Sequence, residues 1–322
     1  MNNYHYLLPE ESAEMSLIQV ANLRKIEKNL REIFINENYQ EVMPPNFEYV
    51  ELYTQLGSDF KPEKLFQMIN HEGKPIALRY DFTIPLARTY AYTRNSEIER
   101  YVYFGKVFRK EKRHKGRRTE SYQIGIELLG AQEQLADKEI ITLSLAALEQ
   151  IPLKHSLLEI GSAKFYKRLC ELVGQEKSKE LTEHLKKRNI SGIEQFVSSH
   201  QFPSVFKNLL TELLVLTDPL SLLRLVTATQ DEILIEAVST LTQLCQQFSG
   251  NHQIVIDLAM VPAMSYYTGL MLTAYSDVVS QPIISGGRYD ELLSRFELKT
   301  TAIGFCCHMD NILKAIEEET NA

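Results

Sequence analysis

The chain has no tryptophan, only four cysteines, and no run approaching the ~18 consecutive apolar residues of a membrane-spanning helix. Cys170, Cys245, Cys306 and Cys307 show neither the density of a disulfide scaffold nor the paired spacing of a zinc site, so they read as reduced, small apolar residues. The eight histidines include no HxxxH pair with flanking ligands, and no metal or cofactor is expected. The N-terminal Met-Asn-Asn-Tyr-His-Tyr has no basic flank and no apolar core, so a cytoplasmic protein is expected. An excess of positive charge is also missing. Thirty-five Lys and Arg against 42 Asp and Glu give a net charge of −7, which argues against a nucleic-acid-coated surface. What is present is ordinary globular composition: 322 residues, 44% hydrophobic and 24% charged, enough for one large domain or two of average size.

Apolar residues at Leu17, Val20, Ala21, Leu23, Ile26, Leu30 and Ile33 match helical spacing and predict an amphipathic helix over Leu17–Asn36. Glu41-Val42-Met43-Pro44-Pro45 reads as a short strand stopped by two prolines, which cannot donate to a sheet ladder. Residues 66–130 are strand-like and punctuated by turns, and 101–108 with 121–129 predict a long hairpin around 112–119. A helix is expected over 138–150 and a strand over 157–160. In 175–248 glycine nearly vanishes, Gly192 alone remaining, and Phe206, Leu209, Leu210, Leu213 and Leu214 recur at helical spacing. Strands are expected again at 254–258 and 269–275, with a closing helix over 309–319. The organisation is therefore α+β: 1–174 and 249–322 form one core whose antiparallel sheet is flanked by helices, and 175–248 is an inserted helical subdomain.

The sharpest local anomaly is the tip of the hairpin. Residues 106–118 hold eight cations (Lys106, Arg109, Lys110, Lys112, Arg113, Lys115, Arg117, Arg118) and one acid, Glu111, a net +7 that leaves −14 on the rest of the chain. Such a tip suits a polyanion, a triphosphate, a phosphoribosyl diphosphate or an RNA end, because its donors replace lost hydration and counterions. It equally suits an acidic partner surface, or no ligand at all.

Phe108-Arg109-Lys110-Glu111, a short loop, and Tyr122-Gln123-Ile124-Gly125-Ile126-Glu127 resemble motif 2 of the histidyl class II aminoacyl-tRNA synthetases. Other blocks follow in the family's order. Tyr39-Gln40-Glu41-Val42-Met43-Pro44-Pro45 resembles the motif 1 strand, which in that family builds a dimer interface. Leu78-Arg79-Tyr80-Asp81-Phe82-Thr83 stands where the family holds the amino acid's α-amino group. Ser265-Tyr266-Tyr267-Thr268-Gly269 resembles the histidyl tyrosine pair, and Gly286-Gly287-Arg288-Tyr289-Asp290 its Gly-Gly-Arg-Tyr-Asp turn. The resemblance covers most of the chain. It implies that Asp81, Thr83 and Gln123 face an α-amino group and that Glu127, Tyr267 and Tyr289 meet an imidazole, with Tyr266 packing in the core. Asp81 is one methylene shorter than the family's glutamate.

Three departures bear on activity. The family's arginine five residues before the second tyrosine is Pro262 here, which offers neither charge nor donor. The motif 3 helix should end in Gly-x-Glu-Arg, but His308 replaces the glycine and Asn311 the arginine, and a neutral amide does not substitute for a guanidinium at a triphosphate. Losing one such donor typically costs about 10²–10³ in rate. Third, the chain stops eleven residues after Asn311, where the family continues into an anticodon-binding domain. A synthetase-like core without its nucleotide half resembles the regulatory subunits of ATP phosphoribosyltransferase. That resemblance implies a non-catalytic chain that joins and activates the short catalytic subunit, lets histidine feed back on it, and self-associates through the motif 1 region. The alternative is a truncated synthetase-like ligase, and an RNA-binding module rests on the basic tip alone.

Overall fold

The computed structural model describes residues 14–56, 60–93, 97–110, 119–248 and 254–321, together with Leu8 and Ser12. Its first half runs α1 (Leu17–Asn36), β1 (Gln40–Glu41), β2 (Phe47–Tyr49), α2 (Val50–Thr54), β3 (Gln67–Ile69), β4 (Pro75–Leu78), α3 (Thr83–Thr93), β5 (Glu99–Phe108), β6 (Glu120–Leu129), α4 (Glu133–Glu149) and β7 (Ser156–Ser162). Six helices follow: α5 (Ala163–Val173), α6 (Gln175–Lys186), α7 (Ile190–Ser199), α8 (Ser204–Glu212), α9 (Pro219–Thr227) and α10 (Glu232–Gln247). The chain returns through β8 (Ile254–Ile256), β9 (Leu270–Ser276), β10 (Val279–Arg288), α11 (Asp290–Ser294), β11 (Ala302–His308) and α12 (Met309–Asn321).

Eight strands form the main sheet in the order β1-β5-β6-β11-β10-β9-β7-β8. Every pair from β5 to β7 is antiparallel, as expected, but both edges are parallel: β1 beside β5 and β8 beside β7. A three-stranded sheet, β2-β4-β3, lies apart.

Alternation along the strands separates two faces. Val102, Ile124, Ile126, Leu128, Ile303, Phe305 and Cys307 point to one side and join a core with Leu23, Ile26, Leu30 and Phe34 of α1 and with α4 and α12. That cluster continues without a break into the apolar stripes of α5–α10. On the opposite face Tyr101 and Tyr103 pack with α2, α3 and α11 in a second, aromatic cluster. Helix α1 begins at a capping box: Ser16 Oγ accepts from the Gln19 amide and the Gln19 side chain accepts from the Ser16 amide. Its first turn departs from the expected stripe, for Leu17 is 90% exposed.

Four expectations are corrected. Only Gln40 and Glu41 of the proline-stopped segment pair as a strand, although Val42 still donates to the Val102 carbonyl. Within the strand-like stretch 66–130 lies a helix, α3. Its β-branched and aromatic residues mimic a strand pattern, but Pro85 sits in the first turn, where a missing N–H costs nothing. The expected Gly-Gly-Arg-Tyr-Asp turn is extended chain through Arg288, with the bend only at Tyr289. The motif 3 segment is strand β11 up to His308, and the helix starts rather than ends there.

One buried ion pair fastens β10 to α4. Arg288, 1% exposed, donates to Asp137 Oδ1 at 2.6 Å and to the Glu133 carbonyl at 2.9 Å, and pairs with Asp290 at 3.2 Å. Removing one partner of a buried pair strands the other charge. Asp137→Ala is expected to cost about 3 kcal/mol in denaturant unfolding; a loss under 1 kcal/mol would contradict this role.

Candidate functional site

Directly opposed residues of antiparallel strands share a face, so register builds the site. Three rows cross the aromatic side of the sheet. The first is Tyr101, Glu127, Gly304, Gly287 and Met271; the second is Tyr103, Gly125, Cys306, Ser285 and Thr273; the third is Gly105, Gln123 and His308. Rows two residues apart lie about 7 Å apart along the strands. The glycines let large side chains lie close against this face. A Cβ at Gly304 would collide with the Glu127 carboxylate, and one at Gly125 with the Tyr103 hydroxyl.

Glu127, 2% exposed, anchors one end. It accepts from Thr83 Oγ1 at 2.7 Å and from the Tyr289 hydroxyl at 2.6 Å. Burial pushes its carboxyl up to about 7, and the two hydroxyls restrain the rise. Asp81 lies just before α3. Its Oδ1 accepts from the Ile84 amide at 3.3 Å, serving one free N–H of the helix start, while its buried Oδ2 has no hydrogen-bond partner among the described residues. Burial pushes Asp81 up to about 6 against the nearby charge of Arg109. Tyr289 is buried; Tyr267 is half-buried, its ring edge-on to Tyr266 at 5.5 Å. Tyr266 stacks on Phe60 inside the aromatic cluster, as expected of a packing residue. Thus Asp81, Thr83, Glu127, Tyr267 and Tyr289 converge. Gln123 lies buried on the same face, two rows from Glu127 and beside His308.

Arg109, counted in the sequence both with the basic tip and with the motif 2 block, lies beside Tyr80, next to Asp81. One residue past β5, its Nε donates to the Tyr80 carbonyl at 2.9 Å and its guanidinium lies 4.7 Å from the Tyr80 ring centre. Its charge acts on Asp81, Cys306 and His308. Lys112, Arg113, Lys115, Arg117 and Arg118 fall outside the described residues.

The nucleotide positions have other occupations. Pro262 sits in the irregular segment between β8 and β9. Asn311 Nδ2 donates to the Pro282 carbonyl at 2.7 Å, bracing α12 against β10. The His308 ring meets Ser285 Oγ at 2.7 Å, with Cys306 Sγ 3.8 Å from the same nitrogen. Burial first, then Arg109, pushes the ring down to about 4, so it is neutral near pH 7. The Ser285–His308 contact was missed in the sequence: alternation sets each side chain on one face of its strand, but only the pairing of β10 with β11 brings the two together. A separate groove of about 480 Å³, lined by Arg24, Lys106, Tyr122 and Asp310 among others, opens on the α1 side. Among the described residues no three His, Cys, Asp or Glu gather as a metal site, and no helix is long and apolar enough to cross a membrane.

A sheet of this order with buried carboxylates on one face is found in a chain that comparison assigns to the histidyl-tRNA synthetase class. The family model for histidyl-tRNA synthetase matches residues 12–312. Nostoc histidyl-tRNA synthetase, 17% identical, shares the fold with a TM-score of 0.81 over 98% of this chain and 76% of its own. Nearer relatives are more specific. ATP phosphoribosyltransferase regulatory subunits of Lactococcus lactis subsp. cremoris and subsp. lactis are 54% and 52% identical, covering 99% of this chain and 100% and 98% of theirs. A Bacillus halodurans structure described as an ATP phosphoribosyltransferase regulatory subunit/histidyl-tRNA synthetase superposes with a TM-score of 0.85 at 27% identity, over 96% of this chain and 83% of that one. The chain belongs to the ATP phosphoribosyltransferase regulatory subunits, the histidyl-tRNA synthetase-like family.

The raised carboxyl of Glu127 has a consequence for stability. Between its ordinary 4.5 and about 7 the folded chain holds a proton that the unfolded chain releases. Its contribution is therefore full below the lower value and lost as pH rises through the upper one. In thermal melts from pH 5 to 8, Glu127→Gln is expected to gain on the wild type as pH rises; parallel profiles would contradict it.

Proposed function

We propose that this chain is a non-catalytic subunit that joins the short-form catalytic subunit of ATP phosphoribosyltransferase, activates it, and makes it sensitive to histidine through the pocket around Glu127. The observation that carries the reading is the half-kept site. Two buried carboxylates, one with an unpartnered oxygen, call for a ligand bearing cationic donors, as an α-ammonium and an imidazole do. The cations an adenylate-forming site needs are missing at Pro262 and Asn311, and the Asn311 amide is committed to the backbone. Regulation follows by linkage: histidine shifts the complex toward an inhibited state only by as much as it binds that state more tightly.

Self-association through the motif 1 region is part of the same proposal. The small sheet that follows β1 in the chain carries exposed apolar side chains. Phe47, Tyr49 and Met68 are each 41–50% exposed, and Met43, just before them, is 87% exposed. An apolar group of this kind on an otherwise charged surface marks an interaction site. Phe47→Asp is expected to weaken self-association about tenfold or more, read as a halved mass in analytical ultracentrifugation; an unchanged mass would move the interface elsewhere.

The histidine pocket is tested in the reconstituted complex. Glu127→Gln is expected to weaken histidine inhibition about tenfold or more while leaving co-purification with the catalytic subunit intact. Unchanged inhibition would place the effector outside this pocket. Histidine-dependent pyrophosphate–ATP exchange by the isolated chain would favour a ligase instead.

A further inference from the structure

Arg79 is a buried cation, 6% exposed, with no carboxylate bonded to it among the described residues. Its Nε donates to the Lys106 carbonyl at 2.8 Å and its Nη1 to the Pro44 carbonyl at 2.9 Å. Its amide donates to the Asn46 carbonyl at 2.8 Å, and its own carbonyl accepts from the Phe108 amide at 3.0 Å. The guanidinium lies 4.1 Å from the ring centre of Phe82, and that ring stacks in turn on Tyr103. The single ammonium of a lysine would reach one of the two carbonyls; the arginine fork holds both and keeps a flat face for the ring.

Two surfaces meet at this side chain. On one side is the segment 43–49, which presents Met43, Phe47 and Tyr49 to solvent. On the other is Phe82, flanked by Asp81 with its unpartnered oxygen and by Thr83, which donates to Glu127. The small sheet needs such an anchor: its strands have three, three and four residues and pair with no strand of the main sheet, and an isolated sheet of that size is marginal in water. We propose that Arg79 is a positioning residue that links the two surfaces, so that an amino acid at Asp81 and self-association through Phe47 and Tyr49 each strengthen the other. This rests on the pocket and the interface proposed above. A second copy packed on the small sheet holds 43–49 in place, and an ammonium at Asp81 holds the chain before α3. Because the Arg79 bonds join these segments, the ordering that one event requires is already in place for the other. The linkage is reciprocal: the factor by which histidine tightens the dimer is the factor by which the dimer tightens histidine.

Analytical ultracentrifugation of the full chain, with and without saturating L-histidine, reads the dimer constant; calorimetric titration reads histidine binding by itself. In the wild type histidine is expected to tighten self-association about tenfold. Arg79→Lys keeps the charge but not the fork, and is expected to bind histidine and to self-associate with the histidine effect reduced to about one. A merely structural arginine would lower both affinities and leave their linkage unchanged. Should that variant not fold, Phe82→Leu, which removes the ring beneath the guanidinium, takes its place with the same expectation. A wild-type dimer constant that bound histidine does not move overturns the inference, as does a full histidine effect in whichever variant folds. A chain that binds no histidine, or stays monomeric at every concentration, overturns it together with the reading it rests on, and the two measurements tell which.

Discussion

Two carboxylates held in the interior without a bonded basic side chain among the described residues set the terms for this molecule. Glu127 is met only by neutral hydroxyls, from Thr83 and Tyr289, and Asp81 by a backbone amide. Burying such groups is costly unless something compensates. Here the compensation is partial: protonation drawn up toward neutral pH, a helix start at α3, and the nearby charge of Arg109. The surrounding architecture is arranged around that need. Gly304 on β11 leaves room for the Glu127 carboxylate and Gly125 on β6 for the Tyr103 hydroxyl, and the opposite face of the same strands carries the continuous aliphatic core that keeps them in register. A pocket that is electrostatically incomplete on its own is what an effector site requires, because a ligand can supply the missing donors and shift a balance between states.

The same sheet accommodates other occupants at the positions where a synthetase would hold its nucleotide. A synthetase-type site needs positioned cations where phosphate charge develops. Along β11 and the start of α12, those positions have been turned inward to packing duties: Asn311 reaches a β10 carbonyl and His308 reaches Ser285. Arg109 survives because it has a second occupation, holding the Tyr80 carbonyl next to Asp81. On the proposed reading, an absent nucleotide half and a kept amino-acid half are two local outcomes on one scaffold.

Much of this was legible in the sequence. The Leu17–Asn36 helix, the β5–β6 hairpin and the helical stretch from α6 to α10 follow from periodicity over long segments, where local pattern and tertiary burial agree. Periodicity failed where a few residues serve tertiary needs. Helix α3 carries β-branched and aromatic residues because it packs into the aromatic cluster, and Gly286 and Gly287 lie in a strand because the neighbouring strand passes close, not because the chain turns. Asp81, Thr83, Glu127, Tyr267 and Tyr289, named from ordered motifs, lie near one another in the structure. Arg109 was read both as part of the basic tip and as part of the motif 2 block; one residue beyond the strand end, its side chain folds back over Tyr80. The Ser285–His308 bridge depends on the pairing of β10 with β11, which no local signal encodes.

The central claim is that this chain acts through a partner rather than on a substrate. It is tested most directly by titrating the chain into a short-form ATP phosphoribosyltransferase catalytic subunit and following product formation at saturating substrates. The account predicts a rate that rises and saturates at a stoichiometric ratio, with no turnover by the chain alone; a rate indifferent to the added chain would contradict it.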